Sequence, residues 1–388
     1  MTAGVSVLEG DERWARVAWS LLAEPRSGPL VRLIAEDGAA ATLARLREGR
    51  LDRREGWQSR VGELDLDALR HATVRQGLHV LVPGDDGWPG ALDRLECPPY
   101  CVFVRGEPDL ASLTERSVAV VGSRAASEYG LCVASDIADG LVVRGWTVVS
   151  GAAYGIDAAA HRAALAAGGA TVAVLACGAD RAYPQAHRGL LDAVARTGAV
   201  VSEVPPGCAP YRSRFLARNR LIAALARATV VVEASVRSGS LTTAREARDL
   251  HLPVGAVPGP VTSMGSAGCH TLLRETDAVL VTDAAEVAEL AARIGEDLTG
   301  GAPRPPRAPE DDLDPEAYRV WSAVPVREGL TTDRLASVAG MPVPRLVAVL
   351  GALEVEGLVS RQGGTWRKPV RRRAQQATGG NGGTPCAG

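Results

Sequence analysis

Residues 118–130 read VAVVGSRAASEYG, and the fold turns on how this stretch is understood. Residues 118–121 are apolar without a polar break, which suits a strand buried on both faces. Gly122 permits a close backbone turn, and the short side chains after it lead into helical spacing. Strand, glycine turn and helix together open a wound α/β unit. Comparable apolar runs follow as WTVVSG, TVAVLACG, AVVSEV, TVVVEA, PVGAVPG and AVLVTDA, alternating with helical patterns as far as residue 294. The expectation is a doubly wound, mostly parallel sheet with helices on both faces.

Outward from that core the pattern changes. Val17, Leu21, Leu30, Leu33 and Ile34 keep helical spacing, broken at EPRSGP, so a small helical domain is expected over 1–70. The α/β domain is expected over 71–296. TGGAPRPPRAPEDD then marks a proline-rich linker over 297–312. A second small domain is expected over 313–368 and a disordered tail over 369–388. The chain has 388 residues, 46% apolar and 23% charged, with a net charge of −2. Such a balance excludes a protein coated in nucleic acid, so any polyanion must meet a local patch. Seven scattered cysteines make no disulfide framework, and CPPYC lacks the second pair that a zinc site needs. Neither a secretory signal nor a membrane span is read, so a cytoplasmic protein is expected.

Where a ligand would bind follows from the sheet, because open α/β sheets bind at the carboxyl ends of their strands. The first such end carries Gly122, Ser123 and Arg124. This is not GxGxxG, so a nicotinamide dinucleotide is not suggested, and the turn reads as an anion site at a helix start. Between Pro205 and Val232 there is no acid, yet Arg212, Arg214, Arg218, Arg220 and Arg227 all fall there. They are expected to line one groove. RSGSLTTAREA places Ser238, Gly239 and Ser240 at a further helix start. In SGAAYGIDAAAH, Gly151 and Gly155 shape a loop that Asp157 would cap, with His161 one turn on as its neighbour. Ser150, Asp157 and His161 are not a catalytic triad, since no nucleophile elbow accompanies them. No paired carboxylates stand at metal spacing, so neither a catalytic nor a metal residue is assigned and no cofactor is expected. Aromatics total 4%, too few for a broad base-stacking platform, although Tyr129, Tyr154, Tyr211 and Phe215 lie near the basic motifs.

The ordered series VGSR…YG, VVSGAAYGIDAAAH, TVAVLACGADRAYPQ, RNRLIAALA…VVVEA, SGSLTTAREA and VPG resembles the DprA/Smf family. The resemblance is dense over residues 84–287 and weaker at both flanks. It implies an extended Rossmann-like fold, an N-terminal sterile-alpha-motif-like or helix-hairpin-helix-like domain, and a C-terminal winged helix. It implies a non-enzyme that binds and protects single-stranded DNA and loads the RecA recombinase in natural transformation, usually as a homodimer. By motif, Gly122, Ser123 and Arg124 match the family's DNA-backbone contact. Arg218, Asn219 and Arg220 match its RNR element, and Ser238, Gly239 and Ser240 its SGS loop. Arg212 or Arg214 stands at a further family cation. Leu216 replaces a usual proline, His270 a usual asparagine, and Thr276-Asp277 a usual glycine-alanine.

Two other classes compete. A Lonely Guy-like nucleotide phosphoribohydrolase would use RSGSLTTAREA in place of its glycine-paired loop, with Glu233 or Glu246 as the acid. A nucleotide-sensing module would bind mononucleotides and no oligonucleotide. In the C-terminal domain, the second helix of the winged-helix pattern offers Arg345 but then Glu354 and Glu356. Carboxylates there repel phosphate, so that domain is expected to contact protein rather than read bases.

Overall fold

The computed structural model describes residues 11–51, 56–293, 296, 313–326 and 329–369. The expected linker, 297–312, lies outside the described residues, as does the tail beyond residue 369. The chain divides into two compact units, Met1–Ala302 and Pro303–Gly388.

The first unit begins with α1 (Glu12–Leu22), α2 (Gly28–Asp37), α3 (Ala39–Arg47), α4 (Trp57–Val61) and α5 (Leu66–Arg75). The Asp11 carboxylate accepts from the backbone N–H of Arg13 and Trp14, satisfying two donors that the start of α1 leaves free. Strands β1 (Leu78–Leu81), β2 (Val102–Gly106) and β3 (Ser117–Val121) follow, with α6 (Leu110–Glu115) before β3. Alternation then sets in: α7 (Glu128–Val143), β4 (Thr147–Ser150), α8 (Ile156–Ala166), β5 (Thr171–Val174), α9 (Arg188–Thr197) and β6 (Ala199–Ser202). After these come α10 (Arg212–Ala224), β7 (Ala228–Val231), α11 (Ser240–Asp249), β8 (Val254–Ala256), α12 (Ala267–Glu275), β9 (Val279–Leu280) and α13 (Ala284–Ala291).

The nine strands form one sheet in the order β1-β2-β6-β5-β4-β3-β7-β8-β9. From β6 to β9 every neighbour is parallel, whereas β2 pairs antiparallel with β6 and β1 with β2. The seven parallel strands fall on the seven apolar runs. Strands β1 and β2 extend the sheet beyond them and were not among the expected strands.

Side chains of β3 alternate between two cores, as a strand buried on both faces requires. Val118 and Val120 pack with Ile137 and Leu141 of α7, Ile156 of α8 and Val287 of α13. Ala119 and Val121 pack with Leu221 of α10, Ala244 of α11 and Cys269 of α12. On the face that α7 and α8 cover, the sheet continues under the N-terminal helices. There Ala173 and Val200 share a core with Trp19, Leu43, Leu46 and Trp57. Trp19 is wholly buried, meets Trp57 edge to face at 5.4 Å, and donates its indole N–H to the Ala39 carbonyl at 3.1 Å. The helices at the N-terminus therefore complete a layer of the α/β unit.

The second unit contains α14 (Pro315–Ala323), β10 (Leu330–Thr331), α15 (Thr332–Ala339), α16 (Val343–Val355), β11 (Ser360–Gln362) and β12 (Thr365–Arg367). Gly340 ends α15 in the left-handed region at φ 63°, and Pro342 precedes α16. A small sheet ordered β10-β12-β11 forms the wing. Leu335, Leu346, Leu350 and Trp366 fill its core.

Candidate nucleic-acid interface

Strand order reverses between β3 and β7: β4 to β6 build outward on one side, and β8 and β9 on the other. At such a switch point the loops after the two strands part and leave a crevice. A cleft of about 740 Å³ opens there. Its walls are the turn after β3, the loop after β7, the N-terminal half of α10 and the start of α11.

Gly122 is required by close approach. A Cβ at that position would stand 2.5 Å from the Ile156 side chain and 2.9 Å from the Glu233 carbonyl. Gly155 takes φ +75°, and its Cβ would press on the Ser123 carbonyl at 2.2 Å. The loops after β3 and β4 thus interlock. The Ser123 amide donates to the Glu233 carbonyl at 2.7 Å, and the Ile156 amide to the Ser123 carbonyl at 3.2 Å.

Arg218 lies beneath the cleft, only 5% exposed. Its guanidinium donates to the Gly151 carbonyl at 2.8 Å and the Val174 carbonyl at 2.5 Å, in space that a side chain at Gly151 would fill. Burial pushes its pKa down to about 10, aided by Arg124 and opposed by Asp157, so it stays charged at neutral pH. Above it, Arg124 and Arg212 are exposed on the cleft wall. Among the described residues neither makes a close ion pair, although Arg124 acts at longer range on the buried Asp157 carboxylate, which also lines the cleft. The Arg124 guanidinium stands 5.1 Å from the Phe215 ring centre and that of Arg218 5.9 Å. Tyr183, tilted against Phe215 at 5.5 Å, and Tyr211 also line the cleft. Asn219 donates to the Gly239 carbonyl at 3.3 Å, tying α10 to the loop whose Ser238 and Ser240 hydroxyls meet at 2.7 Å.

Three of the five arginines expected to line the groove do not reach it. Arg220 is buried against Glu203 at 2.6 Å, both side chains 5% exposed or less, because it projects from the opposite face of α10. Arg214 is held by Glu24 through Nε and Nη2 at 3.0 and 2.8 Å. Arg227 follows α10, pairs with Glu296 at 2.9 Å and stacks on Trp146. Two expected aromatics are also elsewhere: Tyr129 donates to the Pro258 carbonyl at 2.7 Å, and Tyr154 packs on His187. Tyr183, inside GADRAYPQ, faces the cleft although no basic motif beside it in the sequence marks it. Leu216, in the usual proline position, continues α10 unbroken and presents an apolar side chain to the cleft.

Asp157 corrects another expectation. Gly155, not Asp157, precedes the first turn of α8. The Asp157 carboxylate reaches back to the amides of Gly151 at 3.2 Å and Ala153 at 3.3 Å, bracing the loop from inside the helix. Burial raises its pKa, against Arg218 and those two amides. His161 makes no hydrogen bond to it among the described residues. The Thr171 hydroxyl donates to the Val148 carbonyl at 2.7 Å, so its one proton is committed. His161 Nδ1, 2.7 Å from the same oxygen, must then be the donor. Burial pushes this histidine down to about 3, and it is neutral. Ser150 donates to the Val120 carbonyl at 2.6 Å and makes no triad. Of the two acids considered for hydrolysis, Glu233 accepts from the Ser127 amide and hydroxyl at 2.9 and 3.0 Å, holding the start of α7. Glu246 pairs with Arg26 at 2.7 Å, and neither acid lines the cleft. His270 meets the Gly259 carbonyl at 3.1 Å, and Asp277 pairs with Arg248.

The family described as DNA recombination-mediator protein A matches residues 79–292, and a DprA winged helix domain matches 304–365. A Mycobacterium tuberculosis (strain CDC 1551) relative that carries the name DNA processing protein DprA is 44% identical over 370 residues, 90% of this chain and 93% of its own. The chain belongs to the DprA/Smf family. Another DprA/Smf relative, protein Smf of Escherichia coli, is 38% identical over 298 residues, 74% of this chain and 76% of its own. The X-ray structure of DprA from Streptococcus pneumoniae superposes with a TM-score of 0.62 at 35% identity, covering 71% of this chain and 95% of that one. The DprA/Smf fold, a mostly parallel sheet in an extended Rossmann-like arrangement with a winged helix, is the fold seen here.

Proposed function

We propose that the cleft binds single-stranded DNA, which the protein protects and onto which it loads the RecA recombinase during natural transformation and recombination. The observation that carries the reading is the pairing of two surface cations that make no close ion pair, Arg124 and Arg212, with a buried third, Arg218, at the switch point of the sheet, against the one buried carboxylate of Asp157. Such a set takes phosphates without reading sequence. Phe215, Tyr211 and Tyr183 supply apolar faces that unstacked bases can meet and paired bases cannot. Gly122, Ser123, Ser238, Gly239 and Ser240 add backbone and hydroxyl donors around the same space. The names borne by the relatives agree with a role in DNA processing.

The protein acts as a homodimer in this reading, and β9 supports it. That strand is one of the two edges of the sheet, with Val279 and Leu280 about half exposed. Val279→Lys should shift sedimentation toward the monomer; an unchanged profile places the contact elsewhere. No single helix among the described residues is long and apolar enough to cross a membrane. We place the protein in the cytoplasm, where RecA and incoming strands meet. No catalytic role is assigned, since Glu233 and Glu246 are committed to Ser127 and Arg26.

The test is a titration of single- and double-stranded oligonucleotides at two salt concentrations. Single strands should bind more tightly, with affinity falling steeply as salt rises. Equal affinity for duplex, or saturable mononucleotide binding with none for oligonucleotides, overturns the assignment. Release of adenine from AMP would make the protein a hydrolase instead.

A further inference from the structure

We infer that Glu24 and Arg26, in the EPRSGP loop between α1 and α2, are positioning residues for the DNA cleft, reaching across from the N-terminal layer to fix both of its helical walls. The inference rests on the single-strand reading above.

Two ion pairs carry it, one to each wall. Glu24 takes the Arg214 guanidinium through both oxygens, at 3.0 and 2.8 Å. The third nitrogen of Arg214 donates to the Ala209 carbonyl at 2.8 Å, and the group stacks on the Tyr211 ring at 4.9 Å. Ala209 and Tyr211 belong to the segment that enters α10, and Tyr211 lines the cleft beside Arg212. Arg214 thus grips the entry to the cleft wall on one side and Glu24 on the other. It sits in the first turn of α10, where a cation opposes the helix dipole and no acid stands nearby in sequence. Glu24 supplies the missing negative charge from 190 residues away.

Arg26 does the same for the second wall. It pairs at 2.7 Å with Glu246 of α11, the helix whose Ser240 and Thr243 line the cleft. Arg26 holds φ +70°, a conformation that a side chain bearing a Cβ adopts only when its surroundings impose it. A bidentate grip at residue 24 and a strained backbone at residue 26, aimed at two different helices, are more than a loop needs for its own packing.

Plain electrostatics and positioning predict opposite signs. If Glu24 only adds negative charge near a polyanion site, Glu24→Gln frees Arg214 as an extra phosphate cation. Binding would then tighten and its salt dependence steepen. If Glu24 positions the wall, Glu24→Gln loosens Tyr211 and Arg212 and binding weakens. We expect a loss of about two- to fivefold in oligo-dT affinity, the span an ion pair of this exposure can transmit. The slope of log affinity against log salt should stay at the wild-type value, because no phosphate contact is removed.

The experiment uses the full chain and measures oligo-dT binding at several salt concentrations, with amide hydrogen exchange over residues 209–213. Arg26→Ala, read over residues 238–243, is the second variant should Glu24→Gln fold poorly. Weakened binding with an unchanged slope and faster exchange supports the brace. Unchanged or tighter binding, or unchanged exchange, overturns it. If the wild-type chain binds no single strand, the functional reading has failed, and exchange alone still decides whether the brace exists.

Discussion

Arg218 shows how a cation can be fixed in advance at the floor of a cleft, lining it while almost wholly buried. Two carbonyls hold its guanidinium before any ligand arrives, so no side-chain freedom is lost on binding. Arg124 is the opposite case, exposed and free to follow a phosphate. Arg124→Ala should weaken single-strand binding and flatten the salt slope by about 0.7, the contribution of one phosphate; fluorescence anisotropy across a salt series measures both. His161 sets a pH limit. It is neutral in the fold, its pKa pushed down to about 3 from 6.5, so its contribution is complete above pH 6.5 and is lost as pH falls toward 3. Stability should drop by up to about 2 kcal/mol between pH 7 and pH 5, and less in His161→Gln. Urea titrations at the two pH values measure it. The arginine cluster is legible in the sequence, and helical spacing already divides it. Residues two apart on a helix do not share a face, so Arg212 with Arg214, and Arg218 with Arg220, had to diverge. What pulls each one away, Glu24 at 190 residues from Arg214 and Glu203 at 17 from Arg220, follows no local rule.

At the scale of elements, the parallel strands β3 to β8 are the easiest to read, because they are buried on both faces and are dominated by apolar residues, whereas β9 shows the same apolar run at a half-exposed edge. Strands β1 and β2 escaped for the converse reason. LHVL is exposed at His79, VFVRG ends in a charge and a glycine, and a proline-rich stretch separates the two. Asp157 misled because an acid just before an apolar helical run reads as a cap, whereas the helix starts at Ile156, two residues sooner than that cap would place it, and the carboxylate turns back to the loop. That loop is the joint of the cleft. Gly155→Ala places a Cβ against the Ser123 carbonyl at a backbone angle that L-residues avoid. It should cost at least about 2 kcal/mol and loosen the Gly122–Arg124 turn. Thermal melting should register the first effect and reduced oligonucleotide affinity the second.

Across the whole molecule, charge and composition separate the two units. In the second unit the cation on α16, Arg345, is taken up by Glu316 at 3.0 and 2.6 Å. The same helix exposes Val343, Val347 and Val355, a surface unlike one that reads base edges. Truncation after Gly301 should therefore leave single-strand affinity within roughly threefold while altering assembly or partner binding. Loss of binding at low salt by a folded truncate would reverse that division.

Order of synthesis adds one consequence. Strand β7 docks directly against β3, yet about 110 residues of chain, with three strands and four helices, intervene. One lip of the cleft, at Gly122–Arg124, leaves the ribosome long before its counterpart at Ser238–Ser240. Until β7 slots in, the early lip lacks the wall that the loop after β7 and the start of α11 supply. In the proposed reading the site of a nascent chain is therefore unfinished until the middle of the sheet closes and brings Ser238–Ser240 opposite Gly122–Arg124.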